Sequence, residues 1–381
     1  MTGTSPTIPL FDLDFGEEEK AAVIRVLNSK WLTMGPETDL FEQEFAEYIG
    51  VRNAIAISNC TNALHLANIA CGVKTGDEVI CPSLTFVATV NSILYAGGKP
   101  VFADVSSMTD WTLSPADIVN KITSRTKAIL VMHYGGFACD MDTINEIAHA
   151  RGIRVIEDAA HGPGACYRGK KIGNLGDVSC FSFFTNKNIS TGEGGMICTD
   201  DDAIAKDIRL LRSHGMTSAT LDRHFGHSFT YDVVCRGYNY RIDEIRAALG
   251  REQLKKLDTG NQKRLAAAAH YRGLLSLMDQ VRIPFPEYFH VPNYHIFPVM
   301  LDKSVSRKAF MKFLRDRGIQ TSIHYPPVHK FLYYRKYYRH VRLPITGEIA
   351  RREVTLPMFP SLSHEQINLI CTVMQEYFTN P

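Results

Sequence analysis

The sequence predicts an α/β fold in which a mostly parallel sheet is covered by helices and followed by a smaller C-terminal unit. Three observations carry this. From Ala54 onward, short β-branched runs alternate with longer amphipathic stretches, the pattern of repeated βα units. The strand-like runs are continuously apolar rather than alternating, as strands buried on both faces require. The chain's 381 residues suffice for roughly two to three domains of ordinary size, or for one large domain with a small companion.

The elements follow in order. Strands are predicted at 54–58, 78–81, 100–103, 128–132 and 154–157. Helices fill the gaps at 63–70, 88–95, 115–122 and 141–150, where apolar residues recur three and four apart and Ser114 and Asp140 stand as N-caps. Beyond Asp158, two short strands, 179–184 and 195–199, enclose a Gly-rich loop, and a helix runs from 201 to about 212. A long helix from 241 to about 257 ends at Asp258-Thr259-Gly260. That break divides the chain into a large domain, 1–258, and a small C-terminal domain, 259–381, of mixed helix and strand.

Composition narrows the function classes. With 45% hydrophobic and 22% charged residues, wholesale disorder and fibrous repeats are excluded. Forty-two Lys and Arg against forty Asp and Glu leave a net charge of +2, which argues against a nucleic-acid coat or a polybasic membrane anchor. Nine cysteines, with no C-x-x-C pair and no zinc-like His spacing, suggest neither a disulfide framework nor a metal site, and a reducing cytoplasm is the expected location. No apolar run approaches the roughly 20 residues needed to cross a bilayer. The expectation is a protein that neither spans a membrane nor binds nucleic acid.

Ligands of α/β sheets bind at the carboxyl ends of the strands, so polar residues just after the strand patterns are the candidates for chemistry. Lys187 lies in Phe181-Ser182-Phe183-Phe184-Thr185-Asn186-Lys187-Asn188, ahead of Gly192-Glu193-Gly194-Gly195. Apolar neighbours desolvate a lysine and lower its pKa, and the neutral amine attacks aldehydes to form a Schiff base. Taken alone, Lys187 reads first as a surface lysine in a turn, and its context must overturn that. Asp158 ends a strand that reads as fully buried, where a lone acid is costly unless paired. Such a carboxylate keeps the pyridine nitrogen of pyridoxal phosphate protonated, although it also reads as a cap after the strand. Ser58-Asn59-Cys60-Thr61-Asn62 opens the helix at 63 with hydroxyls and free backbone N–H groups, an anion site or an ordinary N-cap. Phe86, after the second strand, is a stacking aromatic or plain core.

In combination these motifs carry a resemblance. Glu157-Asp158-Ala159-Ala160-His161, Phe181-Ser182-Phe183 with Lys187-Asn188, Gly192-Glu193-Gly194-Gly195 and Gly237-Tyr238-Asn239-Tyr240-Arg241 resemble the DegT/DnrJ/EryC1/StrS family of sugar aminotransferases. The likeness runs over nearly the whole chain, from Pro9-Leu10 and Trp31-Leu32-Thr33-Met34-Gly35-Pro36 to His324-Tyr325-Pro326-Pro327-Val328-His329. It implies the aspartate-aminotransferase (type I) fold, pyridoxal 5'-phosphate as cofactor, a homodimer, and amination of a nucleotide-linked keto sugar with L-glutamate as donor. By position it implies Lys187 as the Schiff-base lysine, Asp158 as partner of the pyridine nitrogen and Phe86 as the ring-stacking aromatic. Thr61, Asn62 and Ser182 would hold the phosphate, His161 would lie near the phenolic oxygen, and Asn239 would reach the phosphate in the neighbouring subunit. The phosphate turn reads Asn59-Cys60-Thr61-Asn62 where the commoner form is Ser-Gly-Thr-Ala. A branch of sugar dehydratases carries histidine at the lysine position, so Lys187 argues for amination.

His214, Arg241, His324 and His329 are candidates for the sugar site, since imidazoles and a guanidinium hydrogen-bond to hydroxyls and diphosphate; loop packing explains the histidines equally. Tyr333 to His340 interleave aromatics with bases, which reads as a solvated rim near the substrate's nucleotide. Two alternatives stand beside the leading reading: an aminotransferase of a cyclitol or other non-nucleotide ketone, and a non-catalytic regulator that keeps the fold.

Overall fold

All the predicted strands up to residue 199 form, and they lie in one sheet. The structure, a computed structural model, describes residues 8–217, 230–286 and 290–379. Strands β1 (Asn53–Ile57), β2 (Glu78–Pro82), β3 (Lys99–Ala103), β4 (Thr126–Met132) and β5 (Arg154–Asp158) are followed by a small β6–β7 hairpin (Cys166–Tyr167, Lys170–Lys171). Strands β8 (Val178–Ser182) and β9 (Gly195–Thr199) complete a seven-stranded sheet of order β1-β9-β8-β5-β4-β2-β3. Six of the strands run in one direction and β9 alone opposes them. Alternate residues of the central strands serve opposite cores: Ile129, Val131 and Val155 pack with Phe41, Phe45, Phe181 and Phe183, whereas Leu130 and Ile156 pack with Ile55, Ile57 and Leu64. Both faces being apolar is the reason the strand sequences lack alternation.

Helices α1 (Glu17–Ser29), α2 (Pro36–Ile49), α3 (Cys60–Ala70), α4 (Val87–Tyr95), α5 (Pro115–Lys121), α6 (Met141–His149) and α7 (Asp202–Arg212) surround this sheet. The predicted caps form: Ser114 Oγ accepts the Asp117 N–H and Asp140 Oδ1 accepts the Thr143 N–H. The strand read at 179–184 instead ends at Ser182, so Phe183 and Phe184 already belong to the loop carrying Lys187.

The long helix corrects the sequence reading at both ends. Helix α8 (Glu244–Leu275) starts behind the N-cap Asp243 and passes unbroken through Asp258-Thr259-Gly260, so position 258 lies inside a helix. An interior glycine costs about 1 kcal/mol relative to alanine. Burial of Leu257, Arg264, Ala267, Ala268, Tyr271 and Leu275 along the same helix outweighs it. Glu244, buried, accepts the N–H groups of Gly35, Glu37 and Thr38 and the Thr38 hydroxyl at 2.6–2.9 Å. It thereby fixes the Trp31 to Pro36 turn, with its anionic side chain at the N-terminus of α2.

Beyond α8, a three-stranded antiparallel sheet, β10 (Val281–Arg282), β11 (Phe297–Leu301) and β12 (Glu353–Leu356), packs with helices α9 (Arg307–Asp316), α11 (Pro344–Arg352) and α12 (His364–Thr379), whereas the short α10 (Leu332–Arg335) turns Tyr334 into the core of the large sheet. Their core is continuous with Trp111, Met132, Tyr134 and Phe137 of the earlier segment. Among the described residues, no helix is long and apolar enough to cross a membrane.

Candidate active site

A cavity of about 580 Å³ opens at the carboxyl ends of the parallel strands, where an α/β sheet binds its ligands. Strand β5 delivers Asp158 and, one turn later, His161 to its floor; the β8–β9 loop delivers Ser182, Asn186 and Lys187; the first turn of α3 supplies Thr61 and Asn62; and Phe86 stands at the start of α4. His324 and Tyr325, from the C-terminal segment, close the far side. Eight of the sequence-predicted residues, Lys187, Asp158, His161, Thr61, Asn62, Phe86, Ser182 and His324, thus share one cavity.

The electrostatics are those of a reactive amine facing an acid. Burial pushes the Lys187 amine down to about 8, opposed by the charge of Asp158. Burial also raises the carboxyl of Asp158, against the Thr89 hydroxyl and the Ala160 N–H that donate to it at 2.6 and 3.2 Å and against the Lys187 charge. Because the Thr89 proton is committed to Asp158, the contact of 2.7 Å between Thr85 and Thr89 is donated by Thr85. His161 Nδ1 accepts the Gly135 N–H at 3.2 Å, so the ring carries its proton on Nε2 and donates it to the Tyr325 oxygen at 3.0 Å. Burial holds His161 well below its ordinary value. The Tyr325 proton is left to point elsewhere, and its ring lies 6.1 Å from that of Phe86, which is 57% exposed at the cavity wall.

The anion end is built on backbone. The first N–H groups of a helix have no partner within it, and here Asn59 satisfies the Asn62 N–H through Oδ1 at 2.9 Å, leaving the turn at Cys60 and Thr61 facing the cavity. Asn62 directs Nδ2 to Ser58 Oγ at 2.9 Å rather than into the cavity. Cysteine is accommodated at position 60 because it is the first residue of α3 and its thiol turns back toward the Cys180 carbonyl at 3.7 Å. The close approach is taken up by Gly195, where a Cβ would stand 2.7 Å from Asn59 C, 2.8 Å from Cys60 N and 2.9 Å from Phe181 O.

These residues fit pyridoxal phosphate: Lys187 for its aldehyde, Asp158 for its ring nitrogen, Phe86 for its face, and the α3 turn with Ser182 for its phosphate. A further sign is Asn186 Oδ1, buried on the cavity wall with no hydrogen-bond partner among the described residues.

Four predicted residues lie elsewhere. His329 is buried and holds Ser83, with Nδ1 2.7 Å from the hydroxyl, so it packs a turn rather than lining the cavity. His214 is exposed in a left-handed turn at φ 62°. Arg241 is half-buried outside the cavity lining. Asn239 is exposed, pairs with Ser213 through backbone and is not among the residues lining its own chain's cavity. Its neighbour Tyr240 accepts the Ser58 N–H at 2.8 Å, which places this segment against the α3 turn. Conversely, sequence reading missed Thr89, Tyr325 and His295, whose Nε2 is 3.3 Å from Lys187 Nζ. Thr89 follows Phe86 by three positions, a helical-spacing signal; His295 and Tyr325 carry no local one.

The model of the DegT/DnrJ/EryC1/StrS aminotransferase family matches residues 13–375. The chain belongs to that family. As a DegT/DnrJ/EryC1/StrS member it is an aminotransferase of the type I fold, and the family implies pyridoxal phosphate. It is 37% identical over 368 residues to the Bacillus subtilis spore coat polysaccharide biosynthesis protein SpsC, covering 95% of this chain and 94% of that protein. Among solved structures, Helicobacter pylori PseC, an aminotransferase involved in the biosynthesis of pseudoaminic acid, superposes with a TM-score of 0.92 at 29% identity over 99% of this chain and 100% of that one. DesI, solved in the presence of its TDP-sugar product, gives 0.89 at 28% identity over 99% and 94%. Sugar amino transfer is the activity these relatives support.

Proposed function

We propose that this protein transfers an amino group from L-glutamate to the 3-keto or 4-keto group of a nucleotide-linked deoxysugar, for amino-sugar biosynthesis, using pyridoxal phosphate. The observation that carries the reading is Lys187, an amine held near 8 in the same cavity as the buried Asp158. The TDP-sugar product of DesI supports a nucleotide sugar. The enzyme works in the cytoplasm as a homodimer with shared sites, in which Asn239 serves the neighbouring subunit; its exposure and its absence from its own cavity lining support this.

When bound, pyridoxal phosphate supplies an aldehyde that condenses with amines and a protonated ring that takes up an electron pair. Lys187 Nζ, partly neutral near pH 7, would be the base that takes and returns the proton of the amino-acid α-carbon. Asp158 would hold a proton on the ring nitrogen, and Thr89 with Ala160 keeps that carboxylate oriented. His161 stays neutral and fixes Tyr325, while the α3 turn and the Ser182 hydroxyl bind the phosphate. Amino donor and keto sugar would use the same Lys187 and the same cavity in turn, so the two substrates would alternate in ping-pong order.

The test offers dTDP-, UDP- and GDP-linked 3-keto and 4-keto sugars with glutamate and follows the amino sugar by mass. Formation of one amino sugar, at a rate dependent on both substrates, is expected. Turnover of a cyclitol or other free ketone with none of the nucleotide sugars would replace the substrate assignment.

A further inference from the structure

Behind Lys187 runs a chain of hydrogen bonds whose direction is fixed from one end. The Pro163 carbonyl can only accept, so Asn261 presents Nδ2 to it at 3.0 Å. Asn261 Oδ1 therefore faces Asn188 and accepts its Nδ2 at 2.8 Å. Asn188 Oδ1 is then left for His295, 3.0 Å from Nδ1, and must accept the Nδ1 proton. A neutral imidazole with its proton on Nδ1 has a lone pair on Nε2, the atom 3.3 Å from Lys187 Nζ. His295 itself is pinned through backbone: its N–H contacts Asn293 Oδ1 and the Gly135 carbonyl, both at 3.1 Å. Asn293 Nδ2 in turn is held by the His161 and Pro163 carbonyls at 2.9 and 2.8 Å.

We infer that His295, oriented through Asn188 and Asn261, is a positioning residue that presents a permanent acceptor to the Lys187 amine and holds it whenever the cofactor is attached to substrate instead. The bond is Nζ–H donating to the Nε2 lone pair, with no proton transferred. The surroundings keep the imidazole neutral: burial first, then Lys187, His161, Arg264 and His324 all disfavour its protonation. Asp158 and Cys60 are the groups that favour charge on Lys187. An acceptor on Nε2 stabilises the ammonium more than the amine, so loss of His295 lowers the basicity of Lys187, whereas a merely structural histidine leaves it where it is.

The proposal takes Lys187 as the reactive amine of the preceding section, yet its test needs no substrate. Apoprotein is pulse-labelled with acetic anhydride across about pH 6 to 11, spanning the ordinary lysine range, and acetylation of the Lys187 peptide is quantified by mass spectrometry. The wild-type midpoint is expected near 8. In His295→Leu the midpoint falls by about one pH unit, a tenfold change in proton affinity, and His295→Gln, which places an amide oxygen near Nε2, restores it. Asn188→Leu frees the imidazole to move its proton to Nε2 and gives the same fall, which covers a His295→Leu protein that does not fold. A wild-type midpoint in His295→Leu or, failing its folding, in Asn188→Leu overturns the inference. Failure of pyridoxal phosphate to attach to the wild-type protein would instead overturn the proposed function, and the labelling result would still stand.

Discussion

Thr89 donates its hydroxyl proton to Oδ2 of Asp158 across 2.6 Å, with both side chains buried. Helix α4 and strand β5 are thereby joined at the acid proposed to serve the cofactor ring. A hydrogen bond to a charged group is worth about 1.5–3 kcal/mol. Thr89→Val keeps the shape, removes the donor and leaves burial to raise the Asp158 carboxyl further. The expected outcome is an affinity for pyridoxal phosphate weakened by about tenfold or more, read by absorbance titration of the apoprotein, with the melting temperature little changed. Unchanged affinity would show that Asp158 needs no help to stay ionised.

Glu353 gives a prediction in pH. It is fully buried, accepts the His324 N–H at 2.8 Å and the Thr355 hydroxyl at 2.5 Å, and burial pushes its carboxyl up to about 8 from an ordinary 4.5. The folded protein therefore binds a proton that the unfolded chain has lost across that interval, and stability falls as pH rises from 4.5 through about 8. Glu353→Gln removes the titration. Melting curves recorded across this window should show a shallower decline with pH for Glu353→Gln than for wild type. Equal slopes would place the titration on another group.

Asn239 is exposed on its own chain and absent from its own cavity lining, so its proposed role is tested by mixing. Lys187→Ala and Asn239→Ala homodimers should each lack most activity. Refolded together in equal amounts, half of the dimers are hybrids, each with one intact site, and about a quarter of wild-type activity should return. If Asn239 serves its own subunit's site, or none, mixing restores nothing beyond the sum of the two variants.

How much of this was legible depended on the distance over which each signal acts. The strands, the Ser114 and Asp140 caps and the pair Asp158 and Lys187 are announced by residues beside them, through apolar runs, cap chemistry and loop composition. The end assigned to the long helix at Asp258-Thr259-Gly260 was wrong because a local helix breaker competes with burial of Ala267, Ala268 and Tyr271, which only the tertiary structure reveals. Tyr325 reaches the cavity, and His295 the Lys187 amine, from segments more than a hundred residues further along the chain than Lys187, and no local pattern marks them. His329 illustrates the converse, since a polar residue beside a motif is needed for packing against Ser83 and Phe102.

The central claim, that Lys187 is the amine that carries the cofactor, is tested most directly by reconstituting the protein with pyridoxal phosphate, reducing it with borohydride and mapping the adduct by peptide mass spectrometry. One pyridoxyl group per chain is expected, on Lys187, and none on the Lys187→Ala protein. An adduct on another lysine, or none on a folded protein that binds the cofactor, would contradict it.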